Sequence, residues 1–140
     1  MLTVDPIELG NPKAHHYLLG AVGPRPICFA STIDSAGNRN LAPFSFFNVF
    51  SSNPPVAIFS PSRSGRTGKQ KDTYNNIKEV PEVVINLVNH SMVEQMSLSS
   101  SPYQSNVDEF LKSGLTPLKS ESVRPSRVKE SPIQMECDVF

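Results

Sequence analysis

Residues 21–60 read AVGPRPICFASTIDSAGNRNLAPFSFFNVFSSNPPVAIFS. Residues 21–32 end in an apolar run with β-branched and aromatic members, a composition that suits a pleated, half-buried strand. Residues 34–38, Asp-Ser-Ala-Gly-Asn, carry turn chemistry: an aspartate that bonds its own backbone, then Gly37 and Asn38, which tolerate positive φ. Residues 39–50 read as a returning strand with an irregular, aromatic-rich end. Asn53, Pro54 and Pro55 close it, and residues 55–60 form a third strand. The paired prolines belong at a strand start, because proline has no amide proton for an interior ladder.

Downstream, the basic stretch SPSRSGRTGKQKDTYNNIKE, residues 60–79, ends in a helix expected from about Asp72, with Asp72 as its N-cap. Residues 82–88, EVVINLV, read as a buried strand. Ser91 and Glu94 have the spacing of a capping box at the head of a short helix carrying Met92, Met96 and Leu98. Asn106 to Glu109 opens another helix, which ends at Gly114. Residues 117–132 form a polar connection, and residues 131–140 begin one more strand. Hairpins first, then strand–helix–strand, then short helices make an α+β pattern, mainly β, with no internal repeat and no domain boundary. The final strand is apolar. An open sheet edge is normally covered, so we expect a partner subunit or a continuation of the chain, and favour the continuation.

Composition limits the function classes. The chain has 140 residues, 38% of them hydrophobic, enough for one domain with a modest core. Thirteen basic and 13 acidic residues cancel, which argues against nucleic-acid or anionic-membrane binding over a whole face. No 18-residue apolar run exists, and the N-terminus lacks the pattern of a signal peptide. Cys28 and Cys137 are too few for a disulfide scaffold and read as buried free thiols. A cytoplasmic protein is expected. The Asn89-His90-Ser91 sequon has no meaning there. The 13 prolines, nearly twice the average of about 5%, are scattered as loop punctuation.

Two segments stand out chemically. In residues 60–79, Arg63, Arg66, Lys69 and Lys71 crowd among hydroxyls and glycines. A P-loop is excluded, because Gly65 and Gly68 are too close and Lys69 is followed by Gln70 rather than Ser or Thr. No G-x-G-x-x-G dinucleotide motif occurs. A basic loop leading into a helix N-terminus suits a terminal monophosphate, and a solvated loop is the other reading. In residues 41–55, Phe44, Phe46, Phe47 and Phe50 interleave with Ser45, Asn48, Ser51 and Ser52. Such a surface suits a flat heteroaromatic ligand, and an aromatic core with polar edges is the alternative. His15, His16 and His90 lack metal-ligand spacing with either cysteine.

Taken together, RPICFASTIDSAGNRNLAPFSFFNVFSSNPP, KDTYNNI, EVVINLV, NVDEFLKSGLTPL and VKESPIQMEC resemble the flavin reductase-like family of FMN-binding split barrels, in the family's order and over most of the chain. The resemblance implies a split β-barrel with short flanking helices, a homodimer, and FMN bound near the subunit interface. It implies that Ser45, Phe46, Phe47, Asn48 and Ser51 line the flavin ring, and that Ser60, Arg66, Lys71, Asp72 and Thr73 surround the phosphate. Family chains usually continue past the strand matching residues 134–140 with strands that complete the barrel, so these residues are expected to lack them. Three functions are then open. The first is an NAD(P)H-dependent FMN reductase, with NADH or NADPH as co-substrate, that passes electrons to a partner monooxygenase or another acceptor. The second is an FMN electron carrier that meets no nicotinamide. The third is a non-redox module for another aromatic phosphate or for heme, and residues 44–48 offer heme no axial ligand. In the first two the cofactor carries the reaction, so no acid–base residue is expected.

Overall fold

Near-continuous apolar runs in residues 28–33 and 82–87 place those strands where both sheet faces are covered. The computed structural model describes residues 3–65 and 67–140. Strands β1 (Cys28–Ile33), β2 (Arg39–Phe44), β5 (Glu82–Leu87) and β8 (Gln134–Asp138) form an antiparallel sheet in the order β2-β1-β5-β8. One face carries Cys28, Ala30, Phe44, Val83 and Ile85, and the other carries Phe29 and Leu41. The hairpin of β3 (Phe47–Ser52) and β4 (Pro55–Phe59) covers the first face through Phe47 and Phe59. The second face meets Met92, Phe110, Leu115 and Val128. These come from a 3₁₀ turn (His90–Met92) that leads into α4 (Val93–Ser99), from α5 (Glu109–Ser113) and the residue after its Gly114 cap, and from the short pair β6 (Pro117–Leu118) and β7 (Arg127–Val128).

The single returning strand expected over residues 39–50 is two strands in two sheets. Phe44 and Phe47 lie three apart, so a regular strand would point them to opposite faces. Both enter the same buried cluster, which requires the break at Ser45 and Phe46. That break is what places polar groups beside aromatic rings at the mouth of the fold. The Asp34–Asn38 turn forms as expected: the Asp34 amide donates to the Asn38 carbonyl at 3.1 Å, and Gly37 supplies φ of 92°. The Asp34 carboxylate accepts from the Asn38 side chain and backbone, which lowers its pKa.

Helix starts were less legible. Helix α3 (Asp72–Glu79) begins where expected, but Lys71 occupies the N-cap position with no side-chain cap bond. The Asp72 carboxylate instead accepts from the Ser105 hydroxyl at 2.9 Å. The expected capping box at Ser91 does not form, because the Ser91 hydroxyl donates to the nearer Asn89 carboxamide at 2.6 Å. Asp108, within the expected opening at residues 106–109, caps α5 by accepting from the Phe110 amide, and Gly114 ends that helix with φ of 70°. Two N-terminal helices, α1 (Pro6–Leu9) and α2 (Asn11–Ala21), carry no periodic apolar signal and were not foreseen. Among the described residues no helix is long and apolar enough to cross a membrane.

Candidate functional site

Where β2 breaks, two clefts meet on one lysine. The first, about 220 Å³, is lined by the Phe44–Phe46 turn, Ser60 and Ser62, His15 and Leu19 of α2, and Lys71. The second, about 450 Å³, lies over the start of α3 between residues 64–73 and 100–103. Lys71 lines both. Its ammonium stands 4.8 Å from the Phe44 ring centroid, half-buried, and makes no ion pair among the described residues. Burial lowers its pKa, since desolvation penalises the charged form. Contact with a ring face compensates only in part, by about 0.5–2 kcal/mol. An anion would compensate far better.

The loop carrying the hydroxyls is closed on itself. The Ser64 amide donates to the Lys69 carbonyl at 2.9 Å, and the Gly68 amide donates to the Ser64 carbonyl at 2.8 Å. Arg63 donates to the Gly68 carbonyl, and the Ser60 and Ser62 hydroxyls lie 3.2 Å apart. The Ser60 amide donates to the Phe46 carbonyl at 2.9 Å. This bond fixes the loop's entry against the aromatic turn.

Beneath α3, a buried polar network ties the helix to the sheet. The Asn40 amide donates to Thr73 Oγ1 at 2.9 Å and to Thr32 Oγ1 at 3.3 Å, and Asn76 donates to the same Thr32 oxygen at 3.2 Å. On the free side of β2, buried Glu109 accepts from the Leu41 amide at 3.1 Å. Burial raises the Glu109 pKa against the opposing pull of that bond. Beside it, Arg39 and Asp108 pair at 2.6 Å. These contacts hold α3 and α5 as rigid walls of the second cleft.

The residues expected at the site separate into groups. Ser45, Phe46, Ser60 and Lys71 meet on the first cleft, and Lys71, Asp72 and Thr73 meet on the second. Thr73 is almost fully buried and accepts from Asn40, which leaves its hydroxyl one proton to donate. Phe47 packs in the core. Asn48 and Ser51 lie on β3 outside both clefts. Asn48 is exposed and accepts from the Val49 amide; Ser51 accepts from the Asn53 amide. Arg66 lies outside the described residues. Sequence reasoning missed His15, Leu19 and Ser62 on the first cleft and Asn40 and Glu109 on the second. Only Ser62, within the basic loop, left a signal to find. Among the described residues no group of three or more His, Cys, Asp or Glu side chains is placed to hold a metal ion.

A half-buried lone cation between an aromatic cleft and a hydroxyl-rich one accompanies a match to the flavin reductase like domain over residues 21–140. The chain belongs to the flavin reductase-like family. It is 42% identical over 134 residues to an uncharacterised protein of Aquifex aeolicus, covering 95% of this chain and 67% of that protein. Its fold is that of nitrilotriacetate monooxygenase component B from Bacillus cereus, with a TM-score of 0.88 and 34% identity over 99% of this chain and 67% of the other. It is also similar to the 2-nitrobenzoate 2-nitroreductase of Pseudomonas fluorescens, with a TM-score of 0.84 and 29% identity over 99% of this chain and 66% of that one. A protein of Shewanella frigidimarina with a split barrel domain matches with a TM-score of 0.78 and 27% identity, over 95% of this chain and 64% of its own. The fold is therefore the family's split barrel. The chain spans about two thirds of the length of the relatives it matches.

Proposed function

We propose that this family member is an FMN-binding oxidoreductase that takes hydride from NADH or NADPH and passes electrons onward. The observation that carries the reading is Lys71: a half-buried ammonium, destabilised by desolvation and without an ion pair among the described residues, at the junction of the two clefts. A flavin mononucleotide has the complementary parts, a flat heteroaromatic ring and a terminal phosphate. In this assignment Ser45 and Phe46 form the ring side, Phe47 fixes its backbone from the core, and Asn48 and Ser51, outside both clefts, take no part in it. Ser60, Lys71 and Thr73 hold the phosphate side with Arg66, while Asp72 holds the Ser105 loop. Bound flavin supplies hydride acceptance and electron transfer. The chain's residues bind and orient it, and the Phe44 and Phe46 rings exclude water from one side of the first cleft.

The similarity to a monooxygenase component supports an oxygenase partner as electron acceptor, and the family resemblance supports a homodimer as the functional unit. We place the protein in the cytoplasm, where Cys28 and Cys137 stay free thiols. The test is a visible spectrum of purified protein after FMN is supplied and unbound flavin removed, followed by NADH or NADPH without air. Retained flavin that bleaches is the expected result and identifies the preferred nicotinamide. Retained flavin that does not bleach assigns an electron-carrier role instead, and absence of retained flavin refutes tight binding by these residues.

A further inference from the structure

Helix α2 is held to the fold by very little except one arginine. None of its residues 13–21 is buried, and among the described residues its one broad packing partner is α1. An isolated helix of 11 residues is marginal in water. Its C-terminal carbonyls need partners, and Arg25 supplies them. One Arg25 nitrogen, Nη1, donates to the Leu19 carbonyl at 2.7 Å and also to the Val22 carbonyl. On the other side, Arg25 Nε reaches the Ser45 hydroxyl at 3.4 Å, and the guanidinium carbon lies 6.0 Å from the Phe46 ring centroid. His15, further up α2, meets the same Phe46 ring edge-on at 5.6 Å. One side chain therefore joins the end of α2 to the turn that lines the first cleft.

We propose that α2 is the outer wall of the ring-binding cleft, with His15 and Leu19 contacting the bound heteroaromatic ring and Arg25 acting as the positioning residue that fixes this wall against Ser45 and Phe46. The inference rests on the flavin reading of that cleft. The wall and the turn line one space and meet at the His15–Phe46 contact, so a ring bound there touches both and favours the closed arrangement over any in which α2 is displaced. Arginine suits the role, because its planar fork serves carbonyls on one side and an aromatic face on the other. Lysine has only a point charge.

The full chain is titrated with riboflavin, which has the ring but no phosphate, and with FMN. Amide exchange of residues 13–22 is followed with and without riboflavin. In the wild type, riboflavin should slow exchange in that segment. Arg25→Gln should weaken riboflavin and FMN by the same factor, about 10-fold, and abolish the riboflavin-induced slowing while exchange in β1 and β5 stays as in the wild type. Arg25→Lys should restore binding only partly. His15→Ala, at an exposed position, should weaken both ligands without disturbing the fold and so covers a failure of the Arg25 variants to fold. Unchanged binding in His15→Ala and Arg25→Gln, or wild-type exchange in 13–22 indifferent to riboflavin, would overturn the proposal and leave the flavin reading intact. A wild type that binds neither flavin would overturn both.

Discussion

Replacing Lys71 with methionine keeps most of the side chain's volume and removes its charge, and the two ligands that differ by one phosphate should then part company. For FMN the variant loses a charge-assisted contact, about 1.5–3 kcal/mol, or roughly 10- to 150-fold in affinity. For riboflavin nothing charged is lost, and the change should stay within about threefold. The variant should also be no less stable than the wild type when empty. The pKa of Lys71 is lowered in the folded chain, so the fold binds that proton less tightly than the unfolded chain does. Its charge therefore costs stability at neutral pH, and methionine removes the cost. Flavin fluorescence titration at fixed ionic strength gives the two affinities, and urea unfolding gives the stability. In the wild type, the FMN-to-riboflavin affinity ratio should fall as pH rises through the lowered Lys71 pKa and the ammonium discharges. Equal loss for both ligands, or a ratio independent of pH there, would refute the phosphate assignment.

Thr73→Val should destabilise the fold by about 1–3 kcal/mol in urea unfolding, because Asn40 then keeps only its longer bond to Thr32; an unchanged midpoint would show that the network is not coupled to stability. Glu109→Leu should cost a similar amount by leaving the Leu41 amide unpaired, whereas Glu109→Gln retains an acceptor and should be tolerated. Since the Glu109 pKa is raised, its contribution is fully present below the unfolded pKa and is lost as pH rises through the folded one, and the glutamine variant should flatten that part of the pH–stability curve. Asn48 lies outside both clefts, so Asn48→Leu should leave the FMN and riboflavin affinities within about twofold of the wild type; an equal, larger loss for both ligands would move the ring site onto β3. The Cys28 thiol is pushed up to about 12, first by burial and then by Cys137, so alkylation at pH 8 should label it only as the protein unfolds; labelling of the native chain would contradict its burial.

The sequence by itself determined where most of the strands lie and the first hairpin. Runs such as residues 28–33 and 82–87 carry apolar residues on both faces, and residues 34–38 hold turn chemistry, so the hairpin of β1 and β2 follows from short-range physics. The family resemblance likewise lay in contiguous segments. Tertiary structure decided where β2 ends, because the need to bury both Phe44 and Phe47 in one cluster is a statement about packing. It decided helix caps too, since Asp72 and Ser91 each found a nearer or better partner than the helix amides expected for them. Above all it decided the composition of the cleft. Arg25 and His15 sit 20 and 31 residues before their partners Ser45 and Phe46. No local pattern carries such a contact, because it exists only once the chain has folded back on itself.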